Sequence, residues 1–334
     1  MSTPNPRPVP YAQEMLATLA EIAPEDAPDM TADGLAAERA AMDQWFPSFE
    51  AAIGDHPIDF AEYCVPGPAG APDIIVSVLS PRGLKQRIAE GAAPVAAMYN
   101  IHGGGMMVGN RRMDVPRLVD LVLEFGIVAA TVEYRLAPEH PDPAPVEDCH
   151  TGLVWLAGSA KLLGIDPERI VIMGGSAGGG LSAGVSLIAR DRGTVKLAGQ
   201  MLLCPMIDDT NTTPSSHQYL RGNTWTRQRN LLGWRSLLGD RVGTDAVSIY
   251  AAPYRATDLT RLPPAFIEAG SAEMFRDENV EYANRIWATG GTAELHIWSG
   301  GFHGFDFFAP KTELARAALD ARRSWLKRIL GGLT

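Results

Sequence analysis

The apolar run Ile170-Val171-Ile172-Met173 ends directly on Gly174-Gly175-Ser176-Ala177-Gly178, and positions 177–190 continue as a helix of mostly small side chains. No spacer separates strand from helix. A chain makes that transition only through a sharp turn with unusual backbone angles, and five glycines in the seven positions 174–180 supply the freedom it needs. A Gly-x-Ser-x-Gly pattern in this context holds the serine hydroxyl clear of the backbone. That placement serves a weak nucleophile, which must be presented to a general base. Phosphate binding is the competing use of a glycine-rich turn, and Gly178-Gly179-Gly180-Leu181-Ser182-Ala183 does satisfy a loose Gly-x-Gly-x-x-Ala template. That template would begin inside the helix and lacks the ribose-binding context that should follow, so the nucleophile reading stands.

The rest of the chain agrees with a buried strand feeding a helix. Short apolar runs at 74–79, 95–101, 127–132, 170–173, 199–203, 265–268 and 294–298 alternate with helical patterns at 114–125, 147–163, 177–190 and 275–289. This predicts an α/β fold with a mostly parallel sheet covered by helices on both faces. The first strands are expected to form an antiparallel edge, joined through the polar segment 81–93. Two regions break the alternation. In the first fifty residues Met15, Leu19 and Ile22 recur at helical spacing, and a second helix runs from about Thr31, as N-cap, to Trp45. In 208–248, Thr226 is placed to cap a helix carrying Leu231, Trp234 and Leu238 on one face. These regions predict N-terminal cap helices over 1–50, and a catalytic domain over 51–334 with a second cap contribution at about 208–248.

Composition narrows the function. The 29 basic and 39 acidic residues of the 334 leave a net charge of −10 with no long basic run, which argues against nucleic acid or an anionic membrane as partner. The N-terminus, with prolines at 4, 6, 8 and 10, has no apolar signal core, and no later run approaches a membrane span, so a cytoplasmic protein is expected. Cys64, Cys149 and Cys204 are odd in number and widely separated, and read as reduced core residues. The seven histidines show no metal-ligand spacing, so neither metal nor cofactor is expected and side chains must do the chemistry.

His102-Gly103-Gly104-Gly105 follows the 95–101 strand and offers consecutive unobstructed backbone N–H groups, suited to a developing oxyanion. Gly103 and Gly104 are the candidate donors there, and Ala177 N–H, at the positive end of the post-serine helix, is the third. His102 reads as an orienting residue of this loop. His303, in Gly300-Gly301-Phe302-His303-Gly304-Phe305, lies on the loop after the last strand and is the candidate base for Ser176. His296 falls inside that strand and reads as a packed or surface residue.

With these motifs in order, the sequence resembles the hormone-sensitive-lipase-like family of microbial esterases, bacterial family IV, of the α/β-hydrolase fold. Tyr134-Arg135-Leu136-Ala137-Pro138-Glu139-His140-Pro141, the run 143–148, Asp166-Pro167-Glu168-Arg169-Ile170 and Tyr250-Ala251-Ala252-Pro253 are similar to segments of that family. The resemblance covers most of the chain. It implies an eight-stranded mostly parallel sheet, a helical cap, no cofactor, and hydrolysis of carboxylic esters. The segment Gly270-Ser271-Ala272-Glu273 aligns with one where the family usually carries aspartate, and Glu273 stands in its place. Glu273 is the candidate acid for His303, with Asp277, one helical turn later, as the alternative. Gly175 replaces a polar residue usual before the nucleophile. Met106-Met107 replaces an aromatic, so Met106, Met107 and Gly175 are expected at the substrate pocket, softening it. The expected substrate is a small, short-acyl ester. A lactone or amide hydrolase with the same triad, and a non-catalytic ligand-binding protein, remain alternatives. The strand at 294–298 offers an edge for pairing in a homodimer.

Overall fold

The computed structural model describes residues 6–331, so the first five residues of the proline-spaced N-terminus and the last three of the chain lie outside the described residues. Eight strands, β1 (Ile58–Val65), β2 (Ile74–Pro81), β3 (Val95–Ile101), β4 (Val128–Glu133), β5 (Ile165–Gly175), β6 (Gly199–Leu203), β7 (Ala265–Gly270) and β8 (Ala293–Trp298), form one sheet in the order β1-β2-β4-β3-β5-β6-β7-β8. Only β1/β2 and β2/β4 are antiparallel. β6 and β7 are buried at every position, as their continuous apolar runs require, while β8 is half-exposed throughout and forms an edge.

Two expectations about the antiparallel edge are corrected. The sequence reading has no strand over Ile58–Val65, yet β1 pairs along its full length with β2, from Ile58 opposite Pro81 to Val65 opposite Ile74. The 81–93 segment does not turn β2 back onto β3. It contains the helix Leu84–Ala89 and leads to β3, while β4 takes the place beside β2, with Val76 opposite Val132. The reason lies in the crossovers. Helix Val115–Phe125 carries β3 to its neighbour β4 on one side, and helix Ala144–Gly158 then leads to β5 on the other side of β3. The direction of winding reverses between β3 and β5. In sheets of this kind such a reversal opens a crevice at the carboxyl ends of the two strands.

Helix Ala177–Arg192 follows β5 and is buried from Ala177 to Ala189. Its small residues are a packing requirement: a Cβ at Gly178 would lie 2.0 Å from the Ile101 carbonyl oxygen, so the helix sits almost on the end of β3. Helix Arg227–Leu238 begins at Thr226, whose Oγ1 accepts from Arg229 N at 3.3 Å. Trp234 and Leu238 are buried, but Leu231, expected on the same face, is exposed. At the other region outside the alternation, Thr31 Oγ1 accepts from Gly34 N at 3.2 Å, leading into helix Leu35–Trp45. Met15 and Leu19 of the first helical stretch are buried, and Ile22 is exposed.

The N-terminal segment is tied to distant parts of the chain. Val9 N donates to Tyr219 Oη at 3.1 Å, and Ala12 N to Gly300 O at 3.0 Å. The Glu14 carboxylate accepts from Glu313 N and Leu314 N at 2.8 and 3.1 Å, capping the final helix, Glu313–Gly331. No helix among the described residues is long and apolar enough to cross a membrane. The three cysteines are free, but only Cys149 is buried; Cys64 is exposed, contrary to its reading as a core residue, and Cys204 is half-buried.

Candidate active site

Ser176 has φ 56° and ψ −121°, a conformation that L-residues rarely occupy. The surrounding backbone fixes it: Ser176 N donates to Leu203 O at 2.8 Å, and Ser176 O accepts from Met206 N and Gly180 N, both at 3.0 Å. Its neighbour across the β3/β5 crevice is the glycine loop. A Cβ at Gly103 would lie 2.9 Å from Gly175 O and 3.5 Å from Ser176 Cβ. Gly104 has φ 104°, and a Cβ there would lie 2.1 Å from Val108 O, so the loop closes so tightly only with glycine. Among the described residues neither Gly103 nor Gly104 N–H donates to a backbone carbonyl. Ala177 is the first residue of its helix, where an N–H has no acceptor within the helix.

His303 and Glu273 complete a hydrogen-bonded chain. Ser176 Oγ lies 3.0 Å from His303 Nε2, and His303 Nδ1 lies 2.6 Å from Glu273 Oε2. The other carboxylate oxygen of Glu273 accepts from Gly270 N at 2.9 Å at the end of β7. Glu273 is fully buried and His303 is 6% exposed. The His303 backbone is tethered by Asn223 Oδ1, which accepts from His303 N at 3.4 Å, and by the Thr224 hydroxyl, which donates to His303 O. Phe275 meets the imidazole at 81°, with ring centroids 5.1 Å apart. Burial lowers the proton affinity of the imidazole, but the Cys204 sulfur and the Glu273 carboxylate raise it further, and the net shift is upward. Burial also pushes the Cys204 thiol up.

The competing residues go elsewhere. Asp277 accepts from Ser215 N at 2.8 Å and pairs with Arg276 Nε at 2.7 Å. His296 pairs with Glu294 at 2.9 Å and stacks between Phe266 and Trp298 on the edge strand. His102 Nδ1 lies 2.8 Å from Gly103 O, and its ring stacks on Tyr134 with centroids 4.1 Å apart, so it braces the glycine loop. Burial lowers its pKa and keeps it neutral.

A cavity of about 190 Å³ opens over Ser176, lined by Ser176, His303, Gly103, Gly104 and Gly175 and by residues of 22–45 and 221–229. Met106 and Met107 are not among its lining residues, which corrects their expected place at the substrate pocket. Both are fully buried; Gly104, Gly105 and Met106 all have positive φ, a left-handed course that takes the two methionine side chains into the core. Val108 is the residue of this segment that reaches the cavity.

Two features of the site escaped sequence reasoning. Cys204 lines the cavity at the end of β6, and its ligand atom and those of Glu273 and His303 all lie within 4.8 Å of one another. The signal for it was its position directly after Leu203, a residue in register with Gly175 beside the serine. A chain of alternating charges also runs behind His303: Glu268, Arg322, Asp306, Arg117 and Asp114. Nothing in the spacing of these residues announces it.

Comparison with known proteins agrees with this arrangement. The family described as alpha/beta hydrolase fold matches residues 98–307. The chain is similar to carboxylesterase NlhH of Mycobacterium tuberculosis, 33% identical over 263 residues, which cover 78% of this chain and 80% of the relative. Among solved structures it is similar to a bacterial heroin esterase, 35% identical with TM-score 0.87, covering 96% of this chain and 98% of that one. It is also similar to esterase LipW from Mycobacterium marinum, 27% identical with TM-score 0.83, covering 98% and 99% respectively.

Proposed function

From the premise that the chain belongs to the alpha/beta hydrolase fold family, in its hormone-sensitive-lipase-like branch, and is a carboxylic ester hydrolase, we propose that Ser176, His303 and Glu273 are its catalytic triad. Support comes above all from the unbroken contact chain Glu273 Oε2, His303 Nδ1, His303 Nε2, Ser176 Oγ, at 2.6 and 3.0 Å, at the floor of an open cavity. His303 takes the Ser176 proton as Oγ attacks the ester carbonyl. The tetrahedral oxyanion is held by Gly103, Gly104 and Ala177 N–H groups, each such donor lowering the barrier by roughly 3–4 kcal/mol. His303 then protonates the leaving alcohol, and a water molecule, deprotonated by the same imidazole, releases the acid from the acyl-enzyme. Glu273 fixes the ring orientation and stabilises the imidazolium in both halves.

The substrate we propose is a small, short-acyl ester. The cavity, about 190 Å³, falls below the roughly 300–1,000 Å³ of pockets for drug-sized ligands. Residues 22–45 and 221–229 act as the cap over it. The half-exposed β8 edge is the surface on which a second copy would pair. A cytoplasmic setting is part of the proposal, supported by three cysteines free of disulfides.

The test is turnover of p-nitrophenyl esters of increasing acyl length, with lactones alongside. Ser176→Ala should lower kcat by a factor on the order of 10⁴ or more and abolish labelling by a fluorophosphonate probe. Near-normal turnover in that variant would refute the triad, and a preference for long acyl chains would refute the substrate class.

A further inference from the structure

Four chemically active side chains converge at the floor of the cavity, and the triad uses three of them. The fourth is the Cys204 thiol. Its position is specified by the backbone: Cys204 has φ 39°, in the left-handed region, and its N–H donates to Glu268 O at 2.7 Å. A non-glycine residue held there is strained, and such strain concentrates where a side chain must be aimed. Cys204 lines the same cavity as Ser176 and His303, so an ion entering as substrate does would meet it.

We propose that Cys204, His303 and Glu273 form an inhibitory site for a thiophilic divalent cation, with Zn2+ as the type. Their ligand atoms all lie within 4.8 Å of one another. Neighbouring ligands of a tetrahedral zinc, bonded at roughly 2.0–2.3 Å, stand between about 3 and 4 Å apart, so side-chain adjustments of about an ångström close the set. Thiolate, imidazole and carboxylate are each zinc ligands, and water from the cavity supplies the fourth position. On binding, the S–H bond is replaced by an S–Zn bond and the proton leaves to solvent. No electron changes hands. Inhibition follows from the tautomer that binding imposes. The ion takes the Nδ1 lone pair, the proton that Nδ1 shares with Glu273 moves to Nε2, and the freed carboxylate becomes a zinc ligand. With Nε2 protonated, the ring has no lone pair to receive the Ser176 proton. Esterase activity therefore becomes conditional on free soft-metal concentration.

The inference rests on the reading of His303 as the base, and two readouts keep the two apart. Zinc binding is titrated directly against a chromophoric chelator, and p-nitrophenyl acetate hydrolysis is followed in zinc buffers, each variant normalised to its own activity in excess chelator. The wild-type protein is expected to bind one zinc that is lost in Cys204→Ser and Cys204→Ala, and to be inhibited reversibly. The inhibition constant should rise in both variants by more than the roughly tenfold to hundredfold that loss of an outer-shell partner costs, and Mg2+ at the same concentration should leave activity unchanged. Cys64→Ser is the control, because the exposed Cys64 thiol lies 3.3 Å from Asp73 and is the competing place for a soft ion. Zinc inhibition that persists undiminished in the Cys204 variants, or disappears only in Cys64→Ser, overturns the site. Stoichiometric zinc binding that requires Cys204 yet leaves hydrolysis untouched supports the site and instead overturns His303 as base.

Discussion

Arg322→Met tests whether the charges behind the His303 loop are structural. Arg322 is 4% exposed on the final helix, and Glu268, its partner on β7, is 3% exposed. Arg322 Nε donates to Glu268 Oε1 at 2.8 Å, and Nη1 lies 2.6 Å from Asp306 Oδ2, an ion pair at a poor angle for a hydrogen bond. Methionine keeps most of the buried volume and removes the charge. Asp306 retains Arg117, at 2.8 Å, whereas Glu268 is left with Trp298 Nε1 at 3.0 Å as its polar partner. Orphaning one side of a buried ion pair costs about 3–5 kcal/mol. With unfolding entropy near 2.1 cal/mol/K per residue, the 334 residues give about 0.7 kcal/mol/K, so Tm should fall by about 4–7 °C. The penalty should also depend on pH. Burial raises the Glu268 pKa even with Arg322 beside it, and losing the cation raises it further. A carboxyl whose folded pKa exceeds its unfolded value near 4.3 contributes stability below that value and loses it as pH rises through the folded pKa. Urea unfolding at pH 7.5 and pH 5 should therefore show the larger penalty at pH 7.5. Adding Glu268→Gln should recover at least half of the loss. A penalty under about 1 kcal/mol, or one equal at both pH values, would refute this account of the network.

Glu273→Gln should lower kcat by about 10³–10⁴, while Asp277→Asn, remote from the imidazole, should cost less than tenfold; the reverse ranking would transfer the acid role. Because the carboxylate raises the His303 pKa and only the neutral ring accepts a proton, the acidic limb of kcat/KM in the wild type should lie above pH 6.5, the ordinary histidine value. In Glu273→Gln it should move down. Gly178→Ala should prevent folding or destabilise by more than about 3 kcal/mol, read by circular dichroism melts, since its Cβ would stand 2.0 Å from Ile101 O.

The parts of the molecule that were legible in the sequence are those where local chemistry leaves little choice. β3 and β6 have the bounds their apolar runs predict, because strands buried on both faces need no alternation. Ser176 was conspicuous because its turn demands glycines, and His303 because it follows the last strand on a glycine-flanked loop. β1 was missed because an edge strand buries only part of itself: Asp59 is exposed, and Ala61 and Cys64 interrupt its apolar alternation. The pairing of β2 with β4 depends on which side of the sheet a crossover chooses, and local patterns carry none of that information. Met106 and Met107 were misplaced for a related reason, since the side chains after the glycine motif turn inward only because the backbone there runs left-handed.

The hydrogen bonds from Glu313 and Leu314 to Glu14 span 299 and 300 positions of the chain. At roughly 5–20 residues per second on the ribosome, the acceptor would exist about 15–60 s before its donors. In that interval every strand but the last ones can pair, while the N-terminal segment has no partner at Gly300 and the loop that carries His303 has not been made. The sheet can thus precede the chemistry by many seconds. A chain interrupted before residue 303 would be a scaffold that holds Ser176 and most of its sheet but has no base beside them.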